Sequence, residues 1–310
     1  METTEDKNQM TDSKLSQNDD IVNDTKDEDI EVYEDNNVCK IFESKYSNYP
    51  SIPPNFKKAI NGINLSQMNL QTLLPNEWLD DSVLGAFISA VCTFSPEITL
   101  AFDVFFLESL ISNGRISGGY EKWAEKTNIW EYKIWLIPVH LGAHWTLLIV
   151  VPHRQIFIYI DSLHIKIPNH ILIQICNFMD SVRSHHLAIG RKQQQWSKWT
   201  IFQPKDNPRP DTVSEISENC GIHVCIWSYI ICSGIYVPFD DNIMNNVRIN
   251  ICHFLKKFQS MTVKQQSQKY NSIINTSKSN VKDINFEEKL PFLGFDSTYE
   301  LCATLRLIAD

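Results

Sequence analysis

The sequence predicts an α+β fold: a central antiparallel sheet flanked by helices. Three observations carry this reading. Lys133 to Val139, Trp145 to Val151 and Gln155 to Ile160 are short apolar runs of strand length, and the last two are close enough to form a hairpin. These runs are apolar at successive positions, so both faces of the sheet must be covered. Helical patterns lie on either side of them in the chain, which supplies the covering layers.

The elements follow in order. Residues 50–62 contain Pro50, Pro53 and Pro54 and suit an extended entry, and Asn64 to Leu74 reads as a connector. Asn76-Glu77-Trp78-Leu79-Asp80-Asp81 opens a helix of roughly 14 residues, with Val83, Leu84, Phe87, Ile88 and Val91 at helical spacing. Asp80 and Asp81 fall near its start, where carboxylates suit the positive end of the helix dipole. Phe102 to Leu110 and Tyr120 to Lys126 are short and helical or irregular. Gly142 marks a turn between the first two strands. Pro168 to Leu187 reads as an amphipathic helix. A long polar loop spans 188–212 around a short strand at Trp199 to Phe202. Gly221 to Cys232 and Val247 to Phe258 are buried helices. The polar stretch 259–286 reads as a linker, and Leu290 to Ala309 as a small terminal helix. The domain plan is a disordered acidic tail at 1–40, a folded domain at 41–258, and a polar linker with a short terminal segment at 259–310.

Charge and composition narrow the class. Residues 1–37 hold thirteen acids against three bases, which marks the tail as solubilising or as an interaction arm. A net charge of −9 argues against nucleic acid as the main partner. No basic and apolar leader opens the chain, and no apolar run reaches the ~18 residues of a membrane span. The expectation is an intracellular monomer, nuclear or cytoplasmic, with reduced thiols. Cys220, Cys225 and Cys232 lack zinc-finger spacing, and no phosphate-binding or dinucleotide motif is present, so neither metal nor cofactor is expected.

The chemistry concentrates in Asn219-Cys220-Gly221-Ile222-His223, Ala143-His144-Trp145 and Ile160-Asp161-Ser162. A thiol, an imidazole and a carboxylate make a candidate nucleophilic triad. If residues 144–161 form a hairpin, its centre falls between Pro152 and His153, and His144 faces Asp161. Directly opposed residues have Cβ atoms roughly 4.5–5.5 Å apart, close enough for a carboxylate to hold an imidazole. Cys220 would sit at a helix N-terminus, where dipole and free amides favour the thiolate. His144 would take the thiol proton and return it to a leaving amine, while Asp161 fixes its tautomer. Taken singly, each residue has an ordinary structural explanation: a core thiol, a strand-end histidine, a turn aspartate. Their joint arrangement is harder to explain that way.

At these residues the chain resembles the Ulp/SENP family of ubiquitin-like-protein proteases. Trp78-Leu79-Asp80-Asp81-Ser82-Val83-Leu84 is similar to the family's Trp-Leu-x-Asp helix start. Ile137-Pro138-Val139-His140 through His144-Trp145-Thr146-Leu147, with Tyr159-Ile160-Asp161-Ser162-Leu163, resembles its His-Trp and Asp-Ser pattern. Asn219-Cys220-Gly221 is similar to its Asp-Cys-Gly block, with Asn for the usual Asp. The resemblance runs from about residue 50 to 258. It implies a papain-like cysteine protease fold and cleavage after the di-glycine C-terminus of a ubiquitin-like modifier, SUMO first, with NEDD8 and ubiquitin as other partners. It further implies that Trp78 and Trp145 wall a di-glycine tunnel, and that Asp81 meets a basic residue of the modifier. The family's oxyanion glutamine falls at Ser214 here; Gln203, in Phe202-Gln203-Pro204-Lys205-Asp206-Asn207, fits that role if residues 208–218 loop out. Two other functions stay open: a catalytically weak relative that only binds a ubiquitin-like protein, and a different acyl transfer at the same site.

Overall fold

The computed structural model describes residues 41–42, 46–93, 99–111, 118–186, 199–204, 218–233, 239–259 and 297–300. The expected acidic tail, Ser214 and nearly all of the expected linker lie outside them.

The expected extended entry is a hairpin. Strands β1 (Lys57–Ile60) and β2 (Ile63–Ser66) pair antiparallel around Asn61 and Gly62, both at positive φ. Asn-Gly is the favoured pair for that tight turn. A short helix, α1 (Gln67–Gln71), follows, capped by Ser66 with Asn69 bonding back. Helix α2 (Asp81–Cys92) starts later than the sequence pattern suggested, because Asp80 is its cap and accepts from the Ser82 and Val83 amides. Asn76 stands before it at φ 63, outside any helix.

The main sheet has the order β3-β4-β5-β6-β7-β8. Its strands are β3 (Thr99–Ala101), β4 (Ile134–His140), β5 (Trp145–Val151), β6 (Ile156–Ile160), β7 (Thr200–Gln203) and β8 (Ser297–Glu300). The central trio β4-β5-β6 is antiparallel as expected, but β3 joins β4 and β7 joins β6 in parallel, so the sheet is mixed. The cause is the connections. Helices α3 (Phe106–Ile111) and α4 (Gly118–Thr127) lie between β3 and β4, and α5 (Asn169–His186) between β6 and β7. A helical crossover returns the chain in the same direction. The expected terminal helix is a strand at 297–300, which pairs with the otherwise open edge of β7.

The two faces are both buried. Leu147, Ile149 and Val151 of β5 enter one core, with the residues of α2, α6 (Cys220–Ser233) and α7 (Met244–Lys257). Leu148 and Val150 enter the other, with those of α3 and α5. Among the described residues no helix is long and apolar enough to cross a membrane.

The hairpin register differs from the symmetric one. Leu147 pairs with Ile160 and Val151 with Ile156. Continued outward, this places Asp161 opposite Thr146, not opposite His144. Pro152–Arg154 form a 3-10 turn closed by Gln155 in the left-handed region, which moves the centre of the hairpin by one residue. The register therefore slips by two, which keeps His144 and Asp161 on one face as diagonal neighbours.

Candidate active site

Three elements converge on Cys220. It is the first residue of α6 and is buried. The Trp145 amide, at the start of β5, donates to its Sγ at 3.4 Å. Gly221 packs against the segment leading to α2: a Cβ there would stand 2.9 Å from Leu79 Cβ, so only glycine lets the two segments meet this closely. The Trp-Leu-Asp-Asp and Cys-Gly blocks of the sequence thus touch.

His144 and Asp161 are in contact despite the shifted register. His144 Nε2 lies 2.6 Å from Asp161 Oδ1. The carboxylate also accepts from the Leu163 amide, to Oδ1 at 2.8 Å, and from the Ile165 amide, to Oδ2 at 3.2 Å. A carboxylate held through both oxygens cannot swing away from the imidazole. With Nε2 held by Asp161, Nδ1 is the nitrogen left to exchange a proton with Cys220. Burial alone would lower the basicity of His144, but its hydrogen bonds to Asp161 and Cys220, and their charges, raise its pKa to about 9. The arrangement therefore favours an imidazolium beside the sulfur.

That shift carries a stability prediction. The folded-state pKa of His144 lies above the ordinary 6.5 of the unfolded chain, so the stabilisation is whole below about pH 6.5 and is lost as pH rises through about 9. Its size is on the order of 2–3 kcal/mol. Urea midpoints measured between these pH values should fall more steeply for the wild type than for His144→Gln. Parallel curves would show that the pair adds nothing to stability.

The two tryptophans differ. Trp78, ahead of α2, is 45% exposed, whereas Trp145 is buried at 5% and leans on the His140 ring with centroids 4.5 Å apart. Asp81 opens α2. Burial, then the neighbouring Asp80, raise its pKa; His140 opposes them and Glu108 adds to them. His140 Nδ1 in turn lies 3.1 Å from Glu108. These groups put an acidic rim next to Trp145.

Gln203 ends β7, beside the end of β6. Its Nε2 donates to the Ile165 carbonyl at 3.2 Å, in the segment whose amide holds Asp161. Residues 205–217, between it and Cys220, lie outside the described residues.

One residue escaped the sequence reading. Arg248 of α7 is 1% exposed, and its guanidinium bonds both the segment before Trp78 and the one before Cys220. The available signal was an arginine one residue into an apolar helical pattern.

A buried thiol at a helix start, with a histidine just before one strand and an aspartate just after its neighbour in a sheet between helices, defines the papain-like class. The profile of the Ulp1 protease family, C-terminal catalytic domain, matches residues 77–266, and the chain belongs to this family. It is 28% identical over 169 residues to a sentrin-specific protease of Caenorhabditis elegans, covering 53% of this chain and 23% of that protein. It is 26% identical over 190 residues to sentrin-specific protease 5 of Homo sapiens, covering 60% of this chain and 23% of that protein. The chain thus matches about a quarter of the length of these relatives. Its fold is similar to the Ulp1 protease domain solved in complex with Smt3, the yeast ortholog of SUMO (TM-score 0.50, 22% identity, 71% of this chain and 92% of that one). It is also similar to the Ulp1-like SUMO protease catalytic domain of Chaetomium thermophilum (TM-score 0.52, 20% identity, 69% of this chain and 87% of that one).

Proposed function

We propose that this chain is a cysteine peptidase that cleaves after the di-glycine C-terminus of a ubiquitin-like modifier, SUMO first, from precursors or isopeptide conjugates inside the cell. The contact of His144 Nε2 with Asp161, on the face where Trp145 meets Cys220, carries this reading. Names of relatives and of solved neighbours support SUMO over NEDD8 or ubiquitin.

The chemistry follows from the geometry. Cys220 Sγ, having passed its proton to His144 Nδ1, attacks the terminal glycine carbonyl carbon. The carbonyl oxygen takes the negative charge and is met by the Cys220 amide at the start of α6. His144 returns its proton to the leaving amine, the C–N bond breaks, and a thioester remains. Water, deprotonated by His144, then releases the carboxylate and the thiol. Trp78 and Trp145 would line the approach of the two glycines, since flat indoles favour residues without side chains. Asp81 would meet a basic residue of the modifier.

Gln203 would supply the second oxyanion donor once its bond to Ile165 is exchanged for the substrate oxygen. Gln203→Ala should then lower kcat by about 10²–10³ with little change in KM. A rate unchanged in steady-state cleavage of a SUMO fusion would leave Gln203 only the task of tying the Asp161 segment.

The deciding experiment is covalent capture with SUMO, NEDD8 and ubiquitin probes that carry a thiol-reactive C-terminus. One probe should label the wild type and fail on Cys220→Ala. No labelling of a folded sample by any probe would sink the peptidase reading and favour a binding role.

A further inference from the structure

Arg248 makes six hydrogen bonds. Its Nε and Nη2 donate to Asn219 Oδ1 at 3.1 and 2.9 Å, and Nη2 also reaches the Glu218 and Glu77 carbonyls at 2.9 and 3.0 Å. Its Nη1 reaches the Thr72 and Leu74 carbonyls at 3.1 and 3.2 Å. Every acceptor is a neutral oxygen. Among the described residues no carboxylate stands within ion-pair distance of this buried guanidinium. A buried charge is ordinarily paired. Here the residue in the natural place for a counter-ion is Asn219, an amide that accepts two of the N–H groups without cancelling the charge. The next residue along the chain is Cys220.

We propose that Arg248 is a positioning residue for the nucleophile and that the neutral Asn219, which forms no ion pair with it, leaves its positive charge beside the residue that precedes Cys220, where it favours the thiolate. The guanidinium fixes the start of α6 and the segment before Trp78 to one another, so the charge cannot move away. Among the described residues, these charged or titratable groups face the pair. His144, with Asp161 behind it, faces Cys220 from the turn between β4 and β5. Tyr49 from the entry segment, Glu218 beside Asn219, and Cys225 and Cys220 of α6 face Arg248. The segment before α2 presents the apolar Leu79 to α6, and Asp80 is occupied in capping α2.

The inference rests on Cys220 being the reactive thiol of the proposed function, but it is tested on the thiol itself. The full chain is alkylated with iodoacetamide across the pH range, and modification of the Cys220 peptide is timed by mass spectrometry. Asn219→Asp cancels the charge and Arg248→Gln removes it. Both should move the pH midpoint of alkylation upward by about one pH unit. Asn219→Asp should melt no lower than the wild type, because its carboxylate gains a guanidinium partner. An unchanged or lowered midpoint in either folded variant overturns the proposal, as does failure of Asn219→Asp to fold. Should the wild type alkylate at Cys220 and cleave no modifier fusion, the function reading fails and the charge argument stands.

Discussion

Asp161→Asn will lower kcat/KM on a di-glycine substrate by about 10³–10⁴ while leaving the fold intact. The size follows from the donors that meet both oxygens of the carboxylate. Oδ1 accepts from His144 and the Leu163 amide, and Oδ2 from the Ile165 amide. Asparagine keeps the shape and has only one acceptor oxygen. If its oxygen stays on His144 and Leu163, its NH2 group opposes the Ile165 N–H. If the amide flips, its NH2 faces His144 and forces the tautomer that places the proton on Nδ1, where a thiol proton must be received. Both choices also remove the charge that supports the imidazolium. The variant should show a depressed rate with a circular dichroism spectrum like the wild type's. A rate within tenfold of wild type would remove Asp161 from the mechanism.

What the sequence revealed and what it did not divides along physical lines. The strand Trp145–Val151 was readable to the residue because its apolar run is bounded by a glycine turn and a proline. The helix starting at Cys220 was readable because thirteen further residues continue it with hardly a charge or breaker. Burial on both faces of the sheet followed from apolar residues at successive positions. The β1–β2 hairpin was not legible although Asn61-Gly62 makes its turn, because Pro50, Pro53 and Pro54 just before it suit extended chain equally well. The parallel edges were missed because direction is set by the helical crossovers, and no local pattern in β3 or β7 encodes it.

The site was legible in type and less so in geometry. The motifs single out the Cys220 thiol, the His144 imidazole and the Asp161 carboxylate, and the structure brings them together, yet direct opposition of His144 and Asp161 is not the way they meet. A 3-10 turn at Pro152–Arg154 shifts the register, and a diagonal contact achieves the same bond. Symmetry of spacing cannot see turn type. Arg248 was invisible for another reason: its partners lie in segments far apart in the chain, and four of its bonds end on backbone carbonyls, which have no signature in sequence.

Those bonds make Arg248→Ala the second large effect, expected at about 4 kcal/mol of lost stability. Truncation takes a donor from the Thr72, Glu77 and Glu218 carbonyls, from the Leu74 carbonyl, which keeps the Glu77 amide at 3.4 Å, and from the Asn219 side-chain oxygen, and it empties the space of a long side chain among residues of α6, α7 and the segment before α2. Removing a buried charge returns part of the cost, since no counter-ion is left behind. Arg248→Lys separates these contributions. An ammonium group keeps the charge and can serve at most three acceptors from a single point, so it cannot span Thr72 and Asn219 together. It should recover no more than about half of the loss. Denaturant unfolding of the three proteins measures the series directly. If the alanine variant lost less than about 1 kcal/mol, the guanidinium would not be what joins the segment before Trp78 to α6. The same pair of variants bears on the proposed catalysis through geometry alone: both Cys220 and Trp78 follow residues that Arg248 grips, so its loss frees the proposed nucleophile and one wall of the proposed glycine channel together.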